Sequence, residues 1–455
     1  MLTRQVVAER VSERRQVGLA ADVGLVAFGL VIVGLYSSWN RPIWLDEYLF
    51  FAFGAMSFSE VLSAIHGTAT EINHGQTGFF ILADWALLQI FGASGFAIRL
   101  PSLLAGGLLL FSAVLVLRFR GFARPWQYLV MGLLACQAFL MYFIGEARPY
   151  ALLAATSVAA LAYYQLDPTR RRTWIGWFLV VSGIWIGALN HPYFPLMLGV
   201  VLVVSVWAAW RSGWLVNGWK SVVGFVDPIA VVPAAGLYLV VGILTWLPSR
   251  PEFGYDPYSN MGSREVVINA FWRDHLGALW AYRGWFLAFV ALVVVVLLLS
   301  RFGSGLDLVA PFALGVLALG TSIAVSTASY LSDYWILQRQ WVAGIALFAV
   351  AVVWFLAQLS MSSAGRLRWV ASLPGVLVGA VVVLALGNVW TSQTNQLVLY
   401  SQQQGELRLE RRSVDQLVAD GADWPYVANV NILRGGPVWP IFTEWYSRQA
   451  GMREE

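Results

Sequence analysis

Long runs of apolar residues, separated by short polar stretches, recur along almost the whole chain. A helix needs about 18 to 20 apolar residues to cross the roughly 30 Å hydrocarbon core of a bilayer. Segments of this kind lie at about 17–38, 98–117, 126–143, 149–165, 174–190, 193–210, 222–247, 284–300, 306–326, 341–359 and 369–390. The pattern predicts an all-α polytopic membrane protein with about 11 transmembrane helices, in one transmembrane domain at 17–390.

The basic residues predict the orientation of these helices, because Lys and Arg in short loops stay on the cytoplasmic side. They collect in every second loop, at Arg118, Arg120, Arg124, Arg170, Arg171, Arg172, Arg211, Lys220, Arg301, Arg366 and Arg368. We therefore expect a cytoplasmic N-terminus at 1–16, and external positions for the loops at 39–97 and 248–283 and for the small C-terminal segment at 391–455. The first apolar segment is too long for the core of a signal peptide and is interpreted as a retained signal anchor.

Composition excludes several function classes. The chain is 59% hydrophobic and 12% charged, and its net charge of +4 follows from the loop arginines, so nothing indicates a nucleic-acid partner. The single cysteine, Cys136, lies in a predicted span and carries no redox inference. The sequence has no P-loop, GxGxxG, CxxC or HExxH motif, which argues against nucleotide hydrolysis and a zinc site. The energy for any reaction must then arrive with the substrate.

Two adjacent acidic residues, Asp46 and Glu47, lie where the first span is expected to leave the membrane. Charged groups at such a position are costly, and they often mark a functional site. We expect Asp46 to take a proton from the hydroxyl or amine group of an acceptor while a membrane-anchored donor is cleaved. The alternative is that Asp46 caps a short helix at 47–56 by accepting backbone N–H groups.

The first external loop contains three short apolar segments, at 48–56, 58–66 and 76–91. They are too short, or too mixed in polarity, for spans, and we expect helices that lie in the membrane interface. Asp84 interrupts the third segment. The alternative is that 76–91 crosses the membrane, which would place the arginines after the next span on the outside.

Five motifs follow one another in the first 195 residues. They are WLDE at 44–47, NHGQTGFF at 73–80, FGASGFAIRLPSLLAG at 91–106, GEARPYALL at 145–153 and NHPYF at 190–194. In this order they resemble glycosyltransferases of the family 39 type in the GT-C superfamily. That group includes the protein O-mannosyltransferases, the lipid A aminoarabinose transferase and bacterial galacturonosyl transferases.

The resemblance implies a GT-C fold, with a module of about seven spans and interfacial helices in the first external loop. Such enzymes move a sugar from a polyprenyl-phosphate carrier to an acceptor outside the cytoplasm, usually with inversion at the anomeric carbon. In this chain the resemblance makes Asp46 the general base and Glu47 its companion. His74 is followed by Gly75-Gln76, where relatives commonly carry two prolines. The implied location is the bacterial inner membrane, with the active site facing the periplasm.

Two arginines are candidates for the phosphate of the lipid donor. Arg148 and Arg339 stand at external span boundaries, and a guanidinium group suits phosphate oxygens because it binds them with two N–H groups. Arg339 is the first choice, because the family often carries a basic residue at the start of a late span. Alternatively, Arg339 extends towards the interface without a ligand, and Arg148 pairs with Glu146 or Asp46.

His74, His191 and Tyr193 complete the expected donor-binding set. Either histidine can donate a hydrogen bond to a sugar or a phosphate, and the alternative for each is a purely structural hydrogen bond. Tyr193 otherwise belongs to the aromatic belt at the membrane surface.

The external loop at 248–283 is the candidate acceptor site, because Trp272, Arg273 and His275 lie in it close together. Such a loop can gate or select the acceptor, and the alternative is ordinary interfacial packing. No cofactor is required by the sequence. A divalent metal is possible, although no DxD motif occurs.

The sequence therefore predicts a glycosyltransferase that uses a polyprenyl-phosphate sugar and modifies a glycolipid, a lipopolysaccharide or a protein. Membrane lipids are its further partners. Two alternatives stay open. A flippase or transporter for lipid-linked glycans would move its substrate without breaking a bond, and an enzyme similar to O-antigen ligase would take its donor from a diphosphate carrier.

Overall fold

The computed structural model describes Glu47, Phe50, Phe53, Gly54 and residues 56–63, 65–66, 78–92, 94–135, 138–211, 213, 215, 218–246, 308–331 and 341–362. All regular secondary structure in these ranges is helical, as the all-α prediction requires. Several predicted features lie outside the described residues, namely the spans at 17–38, 284–300 and 369–390, the loop at 248–283 and the C-terminal segment at 391–455.

The helices follow the predicted apolar segments closely. The loop predicted at 39–97 contains α1 (Phe58–Ser63) and α2 (Phe79–Phe91). The chain continues with α3 (Gly95–Phe119), α4 (Arg124–Ala135), α5 (Ala138–Ile144), α6 (Tyr150–Gln165), α7 (Trp174–Asn190), α8 (Phe194–Arg211), α9 (Trp219–Val226) and α10 (Pro228–Val241). The last two described helices are α11 (Val309–Leu331) and α12 (Val342–Ser362). Wider π-helical turns lie within α7 at Val180–Trp185 and after α10 at Gly242–Trp246, and a short 3-10 helix at Pro168–Arg170 precedes α7.

Length and composition together indicate which helices can cross a membrane by themselves. Within the described part of the chain, α3 and α8 are each long and apolar enough to do so. Helix α2 has 13 residues and rises only about 20 Å, which is less than the roughly 30 Å of a hydrocarbon core. This length favours the interfacial position for α2 over a crossing.

Helix α6 lies at the centre of the described helices. All 16 of its residues are buried, and α3, α7, α8 and α12 pack around it. The helix is rich in alanine and carries no charged side chain. A helix that is apolar on every side is expected inside a bundle, where small side chains allow neighbouring backbones to approach.

The approach of α7 to α6 requires a glycine. A Cβ atom placed on Gly183 would lie 2.7 Å from the backbone nitrogen of Ala160 and 2.9 Å from the Cβ of Ala159. Carbon atoms do not come so close without displacement of the backbone. The two helices therefore pack at this distance because residue 183 has no side chain.

The predicted span at 222–247 is not one continuous helix. The chain bends by 61° between Lys220–Val226 and Pro228–Leu244, so α9 and α10 are separate helices. Asp227 lies at the bend with φ of 60°, and its carboxylate caps α10 by accepting a backbone N–H. Pro228 supplies the physical reason, because proline suits the first turn of a helix and disfavours helical backbone in the residue before it.

A cluster of basic and aromatic residues lies at the C-terminal end of α6. The buried guanidinium of Arg171 stands 5.0, 5.2 and 4.5 Å from the ring centres of Tyr163, Tyr164 and Phe225. It also donates a hydrogen bond to the carbonyl of Phe225. Beside it, Arg172 pairs with the carboxylate that caps α10, at 2.7 Å. These contacts join the loop before α7 to the bend between α9 and α10.

Candidate functional site

A buried ion pair connects Glu47 of the acidic motif at 44–47 to α3. Arg99 donates from Nε to Glu47 Oε1 at 2.9 Å and from Nη2 to Oε2 at 2.7 Å. Both side chains are fully buried. Two parallel hydrogen bonds of this kind fix the distance and the plane of both groups, which makes the pair a rigid one.

The turn between α5 and α6 binds the same carboxylate. The backbone N–H of Ala147 donates to Glu47 Oε1 at 2.9 Å, so both oxygens of Glu47 accept hydrogen bonds. The Ser102 hydroxyl on α3 donates to the carbonyl of Arg148 at 3.0 Å. The Asn190 amide at the end of α7 donates to the carbonyl of Pro149 at 3.1 Å. We call Glu47, Arg99 and the turn at 145–149 the polar centre.

Arg148 lies in this turn with its side chain almost fully buried. Its guanidinium stands 5.8 Å from the ring centre of Phe50, and the Phe50 ring packs edge-on against Phe80 of α2 at 5.3 Å. Glu146, also fully buried, lies two residues before Arg148. Charged side chains are rarely placed in such an environment without a functional or pairing reason.

His191 lies at the edge of the polar centre, directly after α7. Its ring stands 5.8 Å from the ring of Tyr150 and 5.2 Å from the ring of Tyr193. The Nδ1 atom accepts a hydrogen bond from the backbone N–H of Tyr193 at 3.2 Å. In the neutral ring an accepting Nδ1 places the proton on Nε2, so His191 presents Nε2–H as a donor.

Helix α2 contributes a further acidic group. Asp84 is fully buried, and neither of its carboxylate oxygens has a hydrogen-bond partner among the described residues. Burial, and to a smaller extent the negative charge of Glu47, raises the pKa of Asp84 well above its ordinary value. Asp84 is therefore a carboxyl group without a hydrogen-bond partner among the described residues, and it experiences the charge of the polar centre.

The structure brings part of the predicted site together. Glu47 and Arg148 belong to the polar centre, and His191 and Tyr193 lie beside it. The remaining predicted site residues lie outside the described residues, namely Asp46, His74, Arg339, Trp272, Arg273 and His275.

Two residues of the site were not predicted from the sequence. Arg99 lies within the predicted span at 98–117, where a charged residue was itself a signal of function. Asp84 interrupts the apolar segment at 76–91, and an isolated acid in such a segment is likewise a signal of function. Their importance depends on contacts with residues that are distant in sequence, 52 positions away in the case of Arg99 and Glu47.

The described residues contain no group of three or more His, Cys, Asp and Glu side chains arranged to hold a metal ion. These residues do contain five groups that can contact a ligand. They are the rigid carboxylate of Glu47, the buried guanidinium groups of Arg99 and Arg148, the Nε2–H donor of His191, and the carboxyl group of Asp84, which has no hydrogen-bond partner among them. Such a set can bind an anionic lipid phosphate together with a polar group attached to it.

No protein-family model matches the chain, and no curated protein sequence does so either. Among solved structures, the chain is similar to ArnT from Cupriavidus metallidurans bound to undecaprenyl phosphate, with 14% identity over 94% of this chain and 78% of that one and a TM-score of 0.43. It is also similar to the apo state of the same ArnT, with 17% identity over 94% and 77% and a TM-score of 0.44. TM-scores below 0.5 carry no argument about function. The helices described above give the fold class, and the residues of the site are the basis for a proposal of function.

Proposed function

We propose that this protein is an inverting membrane glycosyltransferase of the GT-C type, which transfers a sugar from a polyprenyl-phosphate carrier to an acceptor. One observation carries the proposal. Four sequence motifs that lie far apart in the chain, at 44–47, 91–106, 145–153 and 190–194, contribute to or border one buried polar centre. They are the motifs in which the chain resembles family 39 enzymes.

The reaction needs a base, and Asp46 is the residue we assign to that role. It would take the proton from the acceptor hydroxyl or amine while the acceptor atom forms a bond to the anomeric carbon. The bond between that carbon and the phosphate oxygen breaks at the same time, and the lipid phosphate leaves with the electron pair. Attack from the opposite face inverts the anomeric carbon. Help from a positioned base is worth about 10²- to 10⁴-fold in rate.

Glu47 is proposed as a positioning residue. Three hydrogen bonds from Arg99 and Ala147 hold its carboxylate, which restrains the backbone beside Asp46. An activated group must be held to within a fraction of an ångström for efficient proton transfer. The ion pair would thus serve catalysis through geometry.

The leaving phosphate needs positive charge, and we assign this role to Arg148 and Arg339. Arg148 is buried next to the ring of Phe50 at the polar centre, and a buried guanidinium stabilises a developing phosphate charge more strongly than one in water. His191 would add a hydrogen bond from Nε2. We place the reaction on the external face of the bacterial inner membrane, and we propose a glycolipid, a lipopolysaccharide or a protein as acceptor.

The test is transfer by the purified protein from undecaprenyl-phosphate-linked sugars, with lipid products identified by mass spectrometry. Undecaprenyl phosphate is the first carrier to use because one of the similar ArnT structures was solved with it. We expect release of undecaprenyl monophosphate, and we expect Asp46→Asn to lower the rate by about 10²-fold or more. Glu60→Gln, which changes an exposed acid of the same loop, should leave the rate unchanged.

Other products would point elsewhere. A lipid diphosphate product would indicate an enzyme similar to O-antigen ligase, and movement of an intact donor without cleavage would indicate a flippase. Near wild-type transfer by Asp46→Asn would contradict the assigned base.

A further inference from the structure

The placement of Asp84 on α2 is unusual for a charged residue. The buried residues of this helix are Phe80, Ile81, Asp84 and Leu88, which follow the spacing of one helical face. Asp84 therefore lies in the middle of an apolar face that packs inwards, and the side chain is fully buried.

The orientation of α2 is fixed by two contacts of residues that follow Asp84. Trp85 donates from Nε1 to the carbonyl of Met56 at 3.0 Å, and Gln89 donates from its amide to the carbonyl of Gly54 at 2.7 Å. These bonds hold the helix so that Asp84 faces inwards. Its position in the protein interior is thus determined by the fold.

The interior that Asp84 faces is the polar centre. The charge of Glu47 acts on its carboxyl group. The preceding turn of α2 packs through Phe80 on the ring of Phe50, and the guanidinium of Arg148 stands 5.8 Å from the centre of the same ring. Helix α2 also contacts the end of α7, close to His191. Asp84 therefore lies on the face of α2 that packs towards the polar centre.

A buried carboxyl group without a hydrogen-bond partner destabilises the protein that carries it. Among the described residues no donor meets either oxygen of Asp84. A group of this kind is typical of binding sites, where a ligand supplies the missing partner and where stability is lost in favour of function.

The chemistry of the carboxyl group restricts the ligand. A phosphate is matched better by the guanidinium groups of the polar centre than by a carboxyl group, which repels it when ionised. Burial, and to a smaller extent the charge of Glu47, raises the pKa of Asp84, which favours the neutral form, and a neutral carboxyl group suits a hydroxyl better than an ammonium ion or a metal. A neutral carboxyl group can donate one hydrogen bond and accept others, as a sugar hydroxyl does.

We infer that Asp84 binds a hydroxyl group of the sugar carried by the lipid donor and so helps to determine which sugar is transferred. The inference rests on the proposed function. It assigns the phosphate to the arginines and the sugar to α2, whose Phe80 and the Arg148 guanidinium both contact the Phe50 ring. A hydroxyl of the acceptor has the same chemistry, and the experiment separates the two sources.

The experiment measures binding of two probes to the full-length protein in detergent, without acceptor. One probe is undecaprenyl phosphate, and the other is the undecaprenyl-phosphate-linked sugar that the wild-type protein transfers best from a panel of hexoses and pentoses. We expect Asp84→Leu to weaken binding of the sugar-linked probe about tenfold or more and to change binding of undecaprenyl phosphate by less than about threefold. Asp84→Asn, which keeps a polar group of the same shape, should weaken it less.

Stability provides a second readout. Because the carboxyl group is buried without a partner, Asp84→Leu should have a Tm equal to or higher than that of the wild type. A residue with a purely structural role would lower Tm when removed. Asp84→Ala removes the same group without adding bulk, and it decides the question if the leucine variant does not purify. Glu60→Leu, an acid-to-leucine change at an exposed position of α1, should leave the binding ratio of the two probes unchanged.

The outcomes are distinct. Three results would overturn the inference. They are unchanged binding of the sugar-linked probe by Asp84→Leu or Asp84→Ala, an equal loss of affinity for both probes, and a Tm of Asp84→Leu below that of the wild type. A raised KM for the acceptor with unchanged donor binding would move Asp84 to the acceptor and overturn it as well. If the wild-type protein neither binds nor cleaves any polyprenyl-phosphate sugar, the proposed function itself fails, independently of the variants.

Discussion

At the scale of single residues, the ion pair of Glu47 and Arg99 has the largest consequence for stability. Both groups are completely buried, and Arg99 donates two charge-assisted hydrogen bonds to the carboxylate of Glu47. The pair itself contributes little net stability, because burying two charges costs nearly as much as their attraction returns. Removal of one partner is different, since it leaves the other charge buried and unpaired.

We therefore expect Arg99→Met to destabilise the protein by about 3 to 5 kcal/mol. The double variant Glu47→Leu with Arg99→Met should recover most of this loss, because no charge is left unpaired. Tm in detergent or unfolding in a denaturant gives the measurement, with Arg211→Leu at an exposed position as control. If Glu47 positions Asp46, the double variant will be stable and still inactive in transfer. Full additivity of the two single losses would contradict a coupled pair.

His191 offers a way to separate its structural from its functional role. Its Nδ1 accepts the backbone N–H of Tyr193, which secures the turn after α7, whereas Nε2–H is the group proposed to contact the donor. Asparagine places an acceptor oxygen near the position of Nδ1 and has no equivalent of Nε2.

We expect His191→Asn to keep its Tm close to that of the wild type and to lower transfer about tenfold, the effect of one lost hydrogen bond to a charged group. His191→Leu should lower both. The two properties are measured on the same preparations. Wild-type transfer by His191→Asn would assign the histidine a structural role alone.

At the scale of helices, packing around α6 depends on small residues. The Cβ that any other residue would place at 183 meets the backbone of α6, and the two backbones cannot move apart without opening the core. At Gly199 of α8, by contrast, no atom lies within 4 Å of an added Cβ.

Gly183→Val should therefore destabilise the protein by about 1 to 3 kcal/mol or more through overpacking, while Gly199→Val should have little effect. Both variants replace a helical glycine by the same residue, so the difference in propensity cancels. Comparison of Tm and of the yield of folded protein tests this. Equal effects at the two positions would mean that the approach of α7 to α6 is not limiting.

Helices are also the scale at which the sequence was most informative. The predicted segments at 98–117, 149–165, 174–190 and 193–210 lie within a few residues of observed helices, because an apolar length is a local property. The bend at Asp227 was missed, since averaged hydropathy does not register a cap followed by proline.

The site was predictable only in part for a related reason. An acidic pair at a span boundary is visible in the sequence as a candidate site, and Glu47 is predicted on that basis. The pairing of Glu47 with Arg99 and the inward position of Asp84 depend on how helices rotate and pack, which no local pattern contains. The motif resemblance brought the right segments together without naming these contacts.

At the scale of the whole molecule, α6 separates two charged regions. Its N-terminal residue, Tyr150, contacts His191 beside the polar centre, whereas Tyr163 and Tyr164 near its C-terminus contact Arg171. A helix of 16 residues is about 24 Å long, comparable to most of the hydrocarbon core. The polar centre and the basic cluster thus lie at opposite ends of the bundle.

This arrangement agrees with the orientation predicted from the arginines, which places Arg171 on the cytoplasmic side and the polar centre outside. Single cysteines introduced into a Cys136→Ser background test it. Ser59 on α1 and Thr169 in the loop before α7 are both exposed, and they belong to the two opposite faces. A membrane-impermeant maleimide added to intact spheroplasts should label Ser59→Cys.

Thr169→Cys should react only after the membrane is permeabilised, and a cytoplasmic marker protein, unlabelled before that step, provides the control for intact spheroplasts. The electrostatic reason is that arginine-rich loops are retained on the cytoplasmic side during insertion. The reverse labelling pattern would place the polar centre inside. Because the acceptor must then also be cytoplasmic, that result would exclude lipopolysaccharide assembled at the periplasmic face as the acceptor, whatever the donor.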